Sequence, residues 1–357
     1  MTLRVIIYRL GVIPLLLLLC VLAACSQQDL DQEEQGMVSL KVLASPGTKA
    51  GEGGTATATL PAKETAIFDL SIFIFNSNGD VIGFTSQDFS DGKPTEVVVK
   101  TRKATGCSVY AVANAKTLNK GTSPFDGVST LSVFKTKFLS FPDAKAPNNA
   151  NCLLMMGVSS DFDTSSASSA SPATITLKRL ASRIDYTIAV NNDQTTGFPI
   201  VVDSYRLCNV PTSTLYQQSD FTSPSMPSSP TFADLDKVST SISSVAAPTS
   251  AGTYYVYANN GTFKDNGTSK ETYLDIQAHS EVRGAGTKYT VWKSNFQVKM
   301  PDGKVKPNYH YKIDIVINGS VTGKNGGVIT TYEAYPYFSG STLNQWQSEP
   351  DRNLDLQ

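Results

Sequence analysis

The sequence predicts an all-β protein, two β-sandwiches in tandem behind an export signal. Three observations carry this. Apolar residues recur in short runs rich in β-branched and aromatic side chains, the composition of strands. Clusters of Gly, Pro, Asn and Ser separate these runs and supply turns. Nowhere does a long stripe repeat with the 3.6-residue period of an amphipathic helix, so an α/β sheet has no crossover helices to draw on. The 357 residues suffice for two domains of ordinary size.

The chain opens with Arg4 and Arg9, then an almost wholly apolar run from Leu10 to Ala24. A basic start, an apolar centre and small residues before a cleavage point form a secretory signal. The run is shorter than the roughly 20 residues a membrane-spanning helix needs. Leu22-Ala23-Ala24-Cys25 resembles the bacterial lipoprotein box. Its small residues admit a peptidase, and the Cys25 thiol can take a diacylglycerol. Residues 1–24 are therefore expected to be a signal peptide, and Cys25 the lipidation site that tethers the exported chain to a membrane. An ordinary signal followed by an incidental cysteine is the alternative.

Ser26 to Gly36 carries Asp29, Asp31, Glu33 and Glu34 and no apolar face, which reads as a tether. Met37 to Ala44 alternates, with Val38, Leu40 and Val42 on one face of an extended strand. Ser45 to Gly54 is rich in Gly and Pro, which predicts an exposed backbone. Lys49 lies inside it, either open to a trypsin-like protease or simply solvated. Ile67 to Asn76 is apolar on both faces, as a central strand requires. Asn76 to Asp80 contains Asn-Gly and predicts a hairpin to Val81–Ser86. Further strands are expected at Thr95–Thr101, Cys107–Asn114 and Cys152–Val158, with one or two helical turns within Gly127–Phe134. Asp161 to Ser171 is a polar low-complexity break, followed by a strand at Ala173–Leu177. The domain junction is placed at 178–183, before Ile184–Val190. The second half predicts strands at Ile200–Cys208, Tyr254–Ala258, Thr272–Ala278, Tyr289–Val298, Tyr309–Ile317 and Val328–Tyr335, with a Ser/Thr/Pro-rich loop over Pro211–Ser250.

Composition narrows function. The net charge is −1 with no basic block, so nothing argues for nucleic acid. Of five cysteines, Cys20 leaves with the signal and Cys25 takes the lipid. Cys107, Cys152 and Cys208 remain, an odd and widely spaced set. They read as small buried hydrophobes, with one disulfide as the alternative. The two histidines, His279 and His310, have no neighbouring Cys or carboxylate at metal-ligand spacing, so neither a metal nor another cofactor is expected. His310, between two tyrosines at a strand start, reads as a surface or cross-strand residue. Asp161 and Asp163 read as solvated carboxylates in a Ser-rich break. Neither a nucleophile elbow nor a phosphate loop occurs, and no catalytic constellation emerges. Asn260-Gly261, Asn266-Gly267 and Asn318-Gly319 read as turns rather than glycan acceptors. The tyrosine clusters at 254–257 and 332–337 fit strand packing better than sugar stacking.

Several stretches together resemble the Bacteroidetes-type fimbrillins. They are the lipobox at Leu22–Cys25; Met37 to Lys49; the Leu70–Gly79 hairpin; Val109–Asn114; Met155–Gly157; and Leu177–Ile184. In the second half they are Tyr205–Pro211, Tyr254–Asn260 and Asn308–Tyr311. The resemblance implies two transthyretin-like β-sandwich domains, 50–178 and 179–357, after a removable segment 25–49. It implies a lipoprotein precursor carried to the outer membrane, cut by a trypsin-like protease, and polymerised with other fimbrial subunits into an adhesive surface fimbria. Lys49 would be the cleavage residue. Val38, Leu40 and Val42 would fill the groove that a neighbour's strand later occupies. The donor would come from Val328–Gln357, although Pro336 interrupts that stretch and the tail can equally close the second domain. A permanently lipid-anchored fimbrial accessory protein and a surface glycan-binding lipoprotein are the other expectations weighed.

Overall fold

A computed structural model describes residues 37–46, 61–94, 96–141, 146–164, 173–192, 199–243, 249–284, 287–318 and 328–336. The protein is all-β. Its strands are β1 (Met37–Pro46), β2 (Asp69–Phe75), β3 (Val81–Asp88), β4 (Val97–Arg102), β5 (Cys107–Ala113), β6 (Phe138–Ser140), β7 (Met155–Phe162) and β8 (Ala173–Arg179). Then come β9 (Ala181–Asn191), β10 (Ile200–Cys208), β11 (Val210–Pro211), β12 (Ser213–Leu215), β13 (Phe232–Ala233), β14 (Val238–Ile242) and β15 (Thr249–Tyr257). The last are β16 (Lys264–Asp265), β17 (Thr268–Ser269), β18 (Tyr273–Gly284), β19 (Thr287–Lys299), β20 (Tyr309–Asn318) and β21 (Val328–Pro336).

The N-terminal strands close in the order β1-β4-β3-β2-β5-β7-β8. The closure is flattened into two layers. β3-β2-β5-β7 faces β4-β1-β8, and the seams between the layers are thin. β3 meets β4 only at Gly83↔Thr101, and β7 meets β8 only at Met155↔Arg179 and Met156↔Lys178. Both seams need a missing side chain. A Cβ on Gly83 would lie 2.8 Å from Thr101 Cβ, and one on Gly157 would lie 2.5 Å from the Thr176 carbonyl oxygen. Between the layers Leu70, Ile72 and Ile74 of β2 pack with Val97 and Val99 of β4 and Ile175 and Leu177 of β8. The other face of β2 sends Phe73 and Phe75 into a second cluster with Phe125, Phe134, Leu180, Tyr255 and Tyr257. Every residue of β2 is consequently buried, and its sequence is apolar apart from Asp69 and Ser71.

The C-terminal strands form two four-stranded sheets, β14-β10-β18-β19 and β15-β9-β20-β21, over one apolar cluster that runs from Ile184 to Ile317. β9 and β20 run parallel; β15–β9 and β20–β21 run antiparallel. Val328–Pro336 is therefore an edge strand that ends on Pro336, where the missing amide hydrogen costs no ladder bond beyond it.

Most expected strands occur. The helical turn lies at Leu131–Thr136, capped by Thr130 Oγ1, which accepts from the Val133 amide. The strand expected from Cys152 starts at Met155, although Cys152, Leu153 and Leu154 are already buried. β7 runs on into the expected polar break as far as Phe162. Asp161 adopts φ 58° there, and buried Thr164 follows. The loop expected over Pro211–Ser250 is not uniform loop. Ser213–Leu215 pairs with Phe138–Ser140 of the first half, and Val238–Ile242 extends the sheet beside β10. Threonine and serine there have β-branched shape or small size and form ladders where a partner edge is at hand. β18 and β19 reach further than expected, to Gly284 and from Thr287.

Two of the Asn-Gly turns fall within the described residues. Asn266 and Gly267, both at positive φ, join β16 to β17; Asn260 Oδ1 accepts from the Thr262 amide, and Gly261 has φ 71°. Gly319 lies outside the described residues. Tyr255 and Tyr257 are buried in the second N-terminal cluster and Tyr254 packs against the C-terminal one, so the 254–257 group is core. Cys107, Cys152 and Cys208 are free, buried thiols. Burial pushes Cys152 up to about 12 and Cys208 up to about 11, which suits apolar fillers rather than nucleophiles.

Candidate functional site

β1 is the central strand of the three-stranded layer. Its first half, Met37–Val42, pairs antiparallel with β4 from Met37↔Arg102 to Val42↔Val97. Its second half, Val42–Pro46, pairs parallel with β8 from Val42↔Ala173 to Pro46↔Leu177. Among the described residues β4 and β8 do not pair with one another, and β1 joins them. Directly opposite residues in an antiparallel pair share a face. The register sets Val38, Leu40 and Val42 opposite Thr101, Val99 and Val97, the three buried members of β4. Alternation in Met37–Ala44 thus coincides with alternation in β4, whose Val98, Lys100 and Arg102 are exposed.

Cys25 and Lys49 lie outside the described residues, as do the acidic tether and residues 337–357. The segment that bears Cys25 leads directly into β1, and Lys49 follows its last residue, Pro46, by three positions.

A polar junction, whose partners sequence reasoning did not connect, sits at the far end of β8. Arg179 is 1% exposed and Glu64 is 0% exposed. Arg179 Nε donates to the Glu64 carbonyl at 2.8 Å, and its amide donates to Asn308 Oδ1 at 3.0 Å. The Tyr255 hydroxyl donates to Glu64 Oε1 at 2.7 Å, and Arg183 Nη1 lies 3.4 Å from the same oxygen. Lys63 on the same turn donates to the carbonyls of Pro147 and Asn148, and its ammonium stands 4.5 Å from the centre of the Tyr255 ring. Asn148 clasps the Tyr255 backbone in both directions, at 3.0 and 2.7 Å.

Beside this, Asp185 gathers His310 Nε2 at 2.6 Å, Arg183 and the Thr253 hydroxyl. Burial alone would raise its pKa, but the hydrogen bonds from His310, Arg183 and Thr253 outweigh it and hold the carboxyl well below the usual carboxylate range. His310 is thus a cross-strand residue, reaching from β20 to its neighbour β9. The arrangement is a structural clasp. Among the described residues no group of three or more His, Cys, Asp or Glu side chains could hold a metal ion. Leu177–Ile184 and Asn308–Tyr311 supply Arg179, Arg183, Asn308 and His310, so the positions of those four were visible in the sequence; Glu64 carried no signal.

Residues 37–197 match the family model for the major fimbrial subunit protein (FimA). No curated protein matches the chain. Solved structures of similar fold include a candidate cell adhesion protein from Bacteroides eggerthii (TM-score 0.59, 17% identity, 85% of this chain and 96% of that one). A fimbrial assembly protein from Parabacteroides distasonis aligns with TM-score 0.51 at 18% identity, over 83% of this chain and 95% of that one. A fimbrilin from Porphyromonas gingivalis aligns with TM-score 0.51 at 14% identity, over 85% and 98%. At these identities the structures establish the shared fold.

Proposed function

We propose that this chain, a fimbrillin-type protein, is a non-enzymatic structural subunit of a bacterial surface fimbria serving adhesion. In this reading it is exported as a precursor lipidated at Cys25 and carried to the outer membrane. A trypsin-like protease then cuts after Lys49, and residues 25–49 depart with β1. The domains are 50–178 and 179–357, joined at the Arg179–Arg183 clasp.

The observation that carries this reading is the place of β1. It is a central strand, yet it lies at the end of the tethered segment and, among the described residues, is the strand that joins β4 to β8. Its departure would leave two unpaired edges beside the apolar interior lined by Val97, Val99, Ile175 and Leu177. Exposed edges next to an apolar face favour uptake of another strand. Main-chain bonds supply affinity, and alternate side chains supply register. Such a contact is head-to-tail and propagates into a filament instead of closing as a dimer. Val38, Leu40 and Val42 hold the slot until then. The donor is assigned to the C-terminal tail of another subunit. Since β21 already pairs with β20, residues 337–357 are the part of that tail left for the role.

Lys49→Ala tests the cleavage step. The variant is expected to accumulate as a lipidated, unpolymerised precursor on immunoblots of surface fractions, and a normal polymer ladder from it would refute cleavage at this residue.

A further inference from the structure

β8 is held in two different ways along its length. Residues Ala173–Leu177 pair with β1, while on the other side β7 reaches only Lys178 and Arg179. Next to that pairing β8 runs so close to Gly157 of β7 that a Cβ there would lie 2.5 Å from the Thr176 carbonyl oxygen. If β1 leaves, five of the seven residues of β8 lose their ladder partner. What stays is the end at Arg179. There three separate parts of the chain meet on one buried guanidinium residue: the turn before β2 through the Glu64 carbonyl, β7 through Met155, and the start of β20 through Asn308.

We infer that Arg179, with Glu64, is the positioning residue that keeps β8 in place while the slot beside it is empty. The proposal rests on the strand-exchange reading for its biological meaning, since only an emptied slot calls for such an anchor. The chemistry suits the task. The guanidinium is a planar fork that stays charged, and its Nε donates to the Glu64 carbonyl from a fully buried position. The bonds described for Arg179 run from Nε to the Glu64 carbonyl and from the backbone amide to Asn308 Oδ1, and neither partner lies in β1 or β4. Those bonds are therefore independent of what fills the slot. Glu64 is fixed in turn from the C-terminal half by Tyr255 and Arg183, so the anchor ties β8 to both halves of the molecule.

The test is a double-mutant cycle in the full chain that does not depend on cleavage. Leu40→Pro takes β1 out of register with β4 by removing an amide from the ladder. Arg179→Met removes the donors and keeps the length of the side chain. Amide hydrogen exchange over 173–178 is read by mass spectrometry. Leu40→Pro alone is expected to leave this segment largely protected, and Arg179→Met alone to change it little. Together they should speed exchange about tenfold beyond the product of the single effects, as coupled neighbours do. Effects that simply multiply would overturn the proposal. So would loss of folding in Leu40→Pro alone, because the anchor would then be insufficient. Loss of folding in Arg179→Met alone would overturn it too, because Arg179 would then be needed even with the slot filled. Arg179→Lys, which keeps the charge without the fork, should resemble Arg179→Met in the cycle. Full rescue by lysine would assign the effect to charge and not to the anchor geometry. Failure of the strand-exchange reading itself would appear elsewhere, as an uncut N-terminus on the surface-assembled protein.

Discussion

Gly157 shows what a single missing Cβ does for this chain. It lets β8 come close to β7 beside one of the two thin seams between the layers of the barrel. Gly157→Ala is expected to destabilise the protein by about 1–3 kcal/mol, the usual cost of overpacking, seen as a lower urea midpoint at unchanged slope. An unchanged midpoint would mean that β8 can move aside freely. Asp185 gives the second prediction at this scale. Its folded pKa lies below the unfolded value near 3.9. The stability it contributes is therefore present above that value and lost as pH falls toward the folded one. Asp185→Asn should cost most at neutral pH, and the gap to the parent protein should narrow as pH drops below about 4. A gap that stays constant from neutral to acid conditions would contradict the linkage. Neither Glu64 nor the partners of Asp185 were legible in the sequence. Arg179 meets Glu64 across 115 positions and His310 meets Asp185 across 125, distances at which no local pattern operates.

Local period, by contrast, made whole elements visible. The alternation of Met37–Ala44 and the apolar-rich run of Asp69–Phe75, broken only by Asp69 and Ser71, each signal an extended strand, and both are strands. What period does not encode is the neighbour. That β1 runs antiparallel to one strand and parallel to another follows from topology, as does the pairing of Ser213–Leu215 with Phe138–Ser140 inside an apparent loop. The tail follows the same logic. Val328–Tyr335 alternates and is a strand, but it is the edge of its own sheet. Deleting residues 337–357 should therefore leave the fold and its thermal midpoint nearly unchanged while abolishing polymerisation of the processed subunit. Normal polymer from that truncation would place the donor elsewhere.

At the scale of the molecule, the N-terminal barrel and the C-terminal sheets share an apolar cluster on the outer face of β2 and a polar clasp at the end of β8, two residues past its last β1 partner, Leu177. The two functions required of a polymerising subunit are thereby separated. In the proposed reading one layer exchanges its central strand, while β2 of the other is buried on both faces and packs against the rest of the protein. Cys25, β1 and Lys49 are consecutive on the chain, so a single cut would remove lipid, tether and strand together. The most direct measurement is mass spectrometry of the N-terminus of the protein isolated from the assembled surface polymer. A start at Ala50 is the predicted result. A start at an acylated Cys25 would contradict strand exchange and leave a permanently anchored protein whose β1 never leaves its slot.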